Sequence, residues 1–148
     1  MTTTDATRHP FGTDIDETAL TARFDACRSW EERYRQLIML SKSQPSLPDT
    51  LRQEHIELSG CENRVWLGYQ RQADGTLHFY GDSDGRIVRG LLAVVLTAVE
   101  GKTAETLRQI DPLALFDRLG LRAELSASRA GGLAALASRI QDIARHES

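Results

Sequence analysis

Apolar and polar positions alternate along this chain with two different periods. Between Trp30 and Ser41 the apolar residues Trp30, Tyr34, Leu37 and Ile38 recur at helical spacing. Ser29 precedes them with Glu32 three residues on, which is the spacing of a capping box. The helix is expected to stop near Ser43, because Pro45 disfavours helical backbone just before it. Asp14 and Glu17 have the same box spacing and predict an earlier short helix starting near Asp14. Pro48-Asp49 reads as a turn.

The period then changes to two. Val65 to Gln72 is rich in strand formers, and Asp74-Gly75 is a hairpin turn signal. Thr76 to Gly81 is the returning strand, with Leu77 and Phe79 alternating against His78 and Tyr80. His55 to Leu58 predicts a short edge strand. Gly81 to Gly85 reads as a turn that closes the sheet region. Ile87 to Glu100 is apolar for longer than a typical strand and predicts a buried helix, closed by Gly101. Thr103 is expected to cap a short helix over Ala104 to Gln109. Pro112 suits the first turn of another that runs to Leu119 and ends at Gly120. Ser126 or Ser128 caps the last helix, where Leu133, Leu136, Ile140 and Ile143 form the apolar face. The fold class expected is α+β: a small antiparallel sheet of about three strands flanked by helices in two layers.

Composition narrows the class without deciding the function. A chain of 148 residues closes one hydrophobic core. The domain expected spans residues 13–148, after a flexible leader of residues 1–12. The net charge of −3, with both signs interspersed, argues against a nucleic-acid surface, which needs a basic stripe. The first dozen residues lack the apolar segment of a signal peptide, and Leu91 to Val99 is too short to span a bilayer. A cytoplasmic location is the expectation. The two cysteines, Cys27 and Cys61, are too few for a disulfide framework.

Cys61 lies in the polar stretch Ser59-Gly60-Cys61-Glu62-Asn63-Arg64, between two expected strands. Free cysteines are usually buried as small hydrophobes, so a thiol in a polar loop is unusual. Arg64 would favour the thiolate if its side chain turned inward, and Glu62 would oppose it. On the residues alone, a reactive thiol and an inert loop thiol both remain open. Cys27, between Phe24 and Trp30 near a helical pattern, reads as a packing thiol. A Cys-His hydrolase would need a base beside Cys61; His55 and His78 are the candidates, and no local signature accompanies them. The four histidines are scattered and make no close ligand pair with a cysteine, so no metal site is expected. Asp82-Ser83-Asp84-Gly85 lacks the further ligands of a calcium loop.

The run Gly60-Cys61-Glu62-Asn63-Arg64-Val65-Trp66-Leu67-Gly68-Tyr69 resembles the SufE family of sulfur acceptors, and within it the CsdE branch. The likeness continues through Phe79 to Leu92, Pro112 to Asp117 and Leu125 to Leu133, and upstream through Trp30 to Ile38. The resemblance implies a small curved antiparallel sheet flanked by helices, a fold shared with IscU-type scaffolds. It implies that Cys61 accepts sulfane sulfur from a CsdA-like cysteine desulfurase. The pyridoxal phosphate would belong to that partner, and this chain would carry no cofactor of its own. The sulfur would pass to iron–sulfur cluster assembly or another acceptor, and the branch is also linked to an E1-like tRNA-modifying enzyme. The metal-ligand cysteines of IscU-type scaffolds are absent, so the expected role is an accessory one rather than cluster assembly. Glu62, Asn63 and Arg64 beside the acceptor, with Asp84 and Arg129 in matching motifs, are the candidate partner contacts. Gly60 is a candidate hinge for outward movement of the loop on docking.

Overall fold

Local caps start most of the helices, and one long apolar helix organises the rest. In the computed structural model, residues 7–53, 56–58, 63–123 and 125–147 are described. The elements run in the order α1 (Glu17–Asp25), α2 (Trp30–Ser43), β1 (Val65–Arg71), β2 (Thr76–Ser83), α3 (Arg86–Val99), β3 (Lys102–Thr103), α4 (Ala104–Gln109), α5 (Ala114–Leu119) and α6 (Ala127–His146). A 3-10 turn, Asp49–Leu51, interrupts the connection between α2 and β1.

Ser29 begins α2 as its sequence predicts: its Oγ accepts from the Glu32 amide at 3.2 Å. The Glu32 carboxylate reaches back to the Arg28 amide at 3.2 Å, one residue beyond the cap. The first helix starts later than expected. Asp16, not Asp14, is its cap, and its carboxylate accepts from the Ala19 amide at 2.9 Å. The cause is the preceding turn, in which the Gly12 and Ile15 amides are already bonded to Ile15 and Pro10 carbonyls.

Helix α3 is buried at every residue from Gly90 to Val99. The sheet lies on one side of it and α2 on another. Gly90 permits that second contact, because a Cβ there would sit 2.3 Å from the Leu37 carbonyl oxygen. Gly101, at φ +74, ends the helix in the left-handed region, and its amide bonds the Leu77 carbonyl at 2.9 Å. That bond returns the chain to the sheet, where Lys102–Thr103 pairs with Leu77 and Thr76 as the third strand.

The sheet is antiparallel in the order β1-β2-β3, with Tyr69 opposite Phe79 and Val65 opposite Ser83. Among the described residues it has three strands, but the third is Lys102–Thr103 rather than the expected segment at His55 to Leu58. Of that segment, His55 lies outside the described residues, and Glu57 makes only an isolated antiparallel bridge to Trp66. Strand β2 also runs past the expected turn: Gly81, Asp82 and Ser83 are paired with β1 and buried. Its burial does not alternate, because both faces are covered. Leu77 and Phe79 join the main core against α3, while Trp66 packs with Leu47 and Ile56 in a second cluster that also takes Tyr80.

The expected leader is part of that cover where it is described. Phe11 is fully buried in the core, Thr7 is 4% exposed, and His9 bonds the Phe79 carbonyl at 2.7 Å. Residues 7–12 are therefore packed rather than loose. Downstream, Thr103 caps α4, and Gly120 ends α5 at φ +70. Helix α5 starts at Ala114, two residues after Pro112, because Asp111 first closes a turn on the Leu113 amide at 2.9 Å. Of the two candidate caps for α6, Ser126 serves. Leu133, Leu136, Ile140 and Ile143 are buried as its periodicity predicts. Among the described residues no helix is long and apolar enough to cross a membrane.

Candidate functional site

Gly60, Cys61 and Glu62 lie outside the described residues, so the site is built from what flanks them. The chain enters at Glu57-Leu58 and leaves at Asn63-Arg64-Val65. These ends are tied together. The Leu58 amide donates to the Val65 carbonyl at 2.8 Å, and Glu57 bridges to Trp66. Beside that backbone contact the Arg64 guanidinium grips the Glu57 carboxylate at two points, Nε to Oε2 at 3.1 Å and Nη2 to Oε1 at 2.9 Å. The pair shifts both groups toward their charged forms: Glu57 is held below the usual carboxylate range by the Arg64 hydrogen bond, and Arg64 is raised by Glu57.

Arg64 is engaged at its backbone as well. Its amide donates to Asp84 Oδ1 at 3.0 Å, and its carbonyl accepts from Ser83 Oγ at 2.7 Å. Asp84 is thus a local ligand of the departing strand. The Arg64 guanidinium also lies over the Trp66 ring, 4.9 Å from the centroid. Arg64 would favour the Cys61 thiolate only if its side chain turned inward; the structure commits that side chain to Glu57 and Trp66.

A second guanidinium, that of Arg52, lies 5.0 Å from the Trp66 centroid. Arg52 Nη2 reaches Asp82 Oδ2 at 2.8 Å, and Arg89 Nε lies 3.1 Å from Asp82 Oδ1. Asp82 has no exposed side-chain surface, and it also accepts from the Leu47 amide at 2.9 Å. A buried carboxylate needs such partners. Asp82 therefore anchors the segment after α2 to the end of β2. The glycines around it suggest a turn, which is why its burial is not legible in the sequence.

Asn63 and Arg129 are brought together. Both line a cavity of about 20 Å3 completed by Val65, Val88, Leu91, Ser128, Gly132, Leu133 and Leu136. That is room for about one water-sized occupant. The Asn63 side chain packs on Gly85, where a Cβ would come within 2.6 Å of it. Arg129 is held by Tyr34: Nη1 donates to the phenol oxygen at 3.2 Å, and the guanidinium lies 5.8 Å from the ring centroid. Asn63, Arg64, Asp84 and Arg129 thus surround the exit of the segment that carries Cys61.

Cys27 behaves as a packing thiol. Its Sγ donates to the Arg23 carbonyl at 3.6 Å, and burial followed by the nearby Glu32 carboxylate pushes its pKa up, which keeps it protonated.

Sequence reasoning left the histidines scattered, yet the fold brings two together. His9, His78 and Glu100 place ligand atoms within 4.8 Å of one another. Their hydrogen bonds already occupy those atoms. His9 Nδ1 accepts from the Phe11 amide at 3.1 Å, so its proton is on Nε2, which donates to the Phe79 carbonyl at 2.7 Å. Binding a cation through Nε2 would require the opposite tautomer. His78 Nδ1 lies 2.6 Å from Glu100 Oε2, and its Nε2 reaches Thr7. This cluster fastens residues 7–11 to β2; it does not fit a metal ion as arranged. Nothing in the local sequence of either histidine signals it, because the partners His9 and Phe79 are 70 residues apart.

Residues 18–144 match the SufE family, described as an Fe-S metabolism associated domain. The chain is 59% identical over 140 residues to the sulfur acceptor protein CsdE of Escherichia coli strain K12, covering 95% of each chain. It is 41% identical over 115 residues to an uncharacterised SufE-like protein of Rhizobium meliloti, covering 76% of this chain and 82% of that one. The solution structure of a hypothetical protein from Thermus thermophilus superposes with a TM-score of 0.69 at 18% identity, covering 90% of this chain and 96% of that one. That likeness concerns the fold.

Proposed function

The chain belongs to the SufE family, and from that premise we propose that it is a sulfur acceptor in which Cys61 takes persulfide sulfur from a pyridoxal-phosphate cysteine desulfurase. The observation that carries this reading is the near end-to-end likeness to a protein named a sulfur acceptor. Cys61 lies within the segment whose two ends Glu57 and Arg64 tie together.

The chemistry is a thiol–persulfide exchange. The Cys61 thiolate attacks the terminal sulfur of the partner's cysteine persulfide. A new S–S bond forms on Cys61, the partner's S–S bond breaks, and its electron pair leaves with the partner's thiolate. No external oxidant or reductant is consumed. The protein is an accessory to the desulfurase and holds one sulfur atom at a time before passing it to iron–sulfur cluster assembly or a tRNA-modifying enzyme. The pyridoxal phosphate is the partner's. A second thiolate at hand would attack the new persulfide and release its sulfur; Cys27 is a packing thiol bonded to the Arg23 carbonyl. Asn63, Arg64, Asp84 and Arg129, with Glu62, form the surface offered to the desulfurase.

The test is intact mass under non-reducing conditions after incubation with cysteine and the desulfurase. Wild type should gain sulfur that a reductant removes, and Cys61→Ser should gain none. Equal labelling of the variant, or labelling at Cys27, overturns the reading.

A further inference from the structure

We propose that Glu57 and Arg64 are a positioning pair for sulfur transfer: their two-point bridge sets the separation and direction of the chain ends between which Cys61 lies. The inference rests on the acceptor reading above and adds a residue, Glu57, that the sequence did not single out.

The pair is partly open to solvent, with side-chain exposures of 61% for Arg64 and 27% for Glu57. Exposed ion pairs contribute little to folding. The placement of this one matters more than its strength. It joins residues seven apart in sequence, across the interval that contains Cys61. It lies beside the backbone hydrogen bond from the Leu58 amide to the Val65 carbonyl, with Glu57 just before that bond and Arg64 just within it.

The arginine end is itself fixed. Its backbone is bonded to Asp84 and Ser83, and its guanidinium rests over Trp66, a residue only 2% exposed. Glu57 is therefore docked onto an anchored fork, and both chain ends acquire a defined direction. A guanidinium can do this because its parallel N–H groups match the two carboxylate oxygens; an ammonium cannot. Exchange at sulfur requires the thiolate to approach along the S–S axis, so a small error in presentation slows the reaction without touching the thiol's own chemistry.

A different role for Arg64 is distinguishable. If it acted by stabilising the Cys61 thiolate, Glu57 would be its competitor. Arg64→Gln would then raise the thiol pKa and Glu57→Gln would lower it. Positioning predicts that the two substitutions act alike.

The test compares wild type, Glu57→Gln, Arg64→Gln, Arg64→Lys and the exchanged pair Glu57→Arg/Arg64→Glu. Each is incubated with the desulfurase and cysteine, and the rate of sulfur gain on Cys61 is read by mass. Alkylation of Cys61 by iodoacetamide is followed against pH in the same proteins, and thermal melting reports folding. Each single variant should slow transfer roughly threefold to tenfold, the range expected for one coupled pair. Its melting and alkylation profile should match wild type, and the exchanged pair should recover most of the lost rate. Wild-type rates in the single variants, losses that simply add in the exchanged pair, or opposite shifts of the alkylation profile overturn the pair's role and leave the acceptor reading standing. No sulfur on wild-type Cys61 overturns both.

Discussion

His78 Nδ1 lies 2.6 Å from Glu100 Oε2, joining the middle of β2 to the C-cap residue of α3. The other Glu100 oxygen accepts from the Phe79 amide at 2.8 Å and lies 3.4 Å from His9 Nε2. Burial alone would raise the Glu100 pKa, but the hydrogen bonds from His78, His9 and the Phe79 amide outweigh it and hold the carboxyl at about 2.

A pH dependence follows from that depression. The folded pKa is below the ordinary value of 4.5, so the carboxylate's contribution is fully present above pH 4.5 and is lost as pH falls toward about 2. Glu100→Gln should be less stable than wild type at about pH 6, and the gap should close as the solution is acidified through that window. Urea unfolding at stepped pH measures it. A gap that stays constant down to about pH 2 would contradict the assignment.

Asp82 should be the most costly polar residue to neutralise. Its side chain has no exposed surface and faces Arg52, Arg89 and the Leu47 amide. Removing one partner of a buried ion cluster leaves the others uncompensated, at a cost of about 3 kcal/mol. Asp82→Asn should lose about that much in urea unfolding, with the segment after α2 becoming the first to exchange its amide hydrogens.

Gly90→Ala tests the contact between α2 and α3. The new methyl group would stand 2.3 Å from the Leu37 carbonyl oxygen, a backbone atom with nowhere to move. Overpacking of this kind costs about 2 kcal/mol, or roughly 6 °C in the melting temperature of a domain this size. Calorimetry reads it directly. Gly131→Ala is the control: nothing lies within 4 Å of a Cβ there, and a helix-interior alanine should be neutral or stabilising.

Arg129 should matter for docking more than for folding. Its guanidinium packs on Tyr34 beside the cavity that Asn63 also lines. Arg129→Ala should cost no more than about 1 kcal/mol of stability, the loss of one partly buried hydrogen bond and ring contact to Tyr34. It should weaken binding to the desulfurase roughly tenfold, mostly by slowing association at low salt. Titration calorimetry at two salt concentrations checks the affinity, and urea unfolding checks the stability.

The helices and the β1-β2 hairpin were legible in the sequence because their causes are local. Ser29 with Glu32, Thr103, Ser126 and the glycines at 101 and 120 act within a turn of the elements they start or stop. The spacing of Leu133, Leu136, Ile140 and Ile143 likewise names the buried face of α6 without any knowledge of what covers it. The motif around Cys61 pointed to the family for the same reason, being a continuous run of residues.

What only the tertiary structure decided is what joins distant parts of the chain. In β2, Leu77 and Phe79 alternate with His78 and Tyr80, but residues 7–11 and the segment after α2 cover the second face, so His78 and Asp82 are buried and need partners. The third strand exists because Gly101 turns the chain back onto Leu77. Glu57 and Arg64 are seven positions apart on a segment with no periodicity, and the pairing of Glu57 with Trp66 and of Leu58 with Val65 sets them side by side. Hydrophobic period and capping are properties of neighbours in sequence, whereas the partner of a buried charge is chosen by which surfaces the core brings into contact.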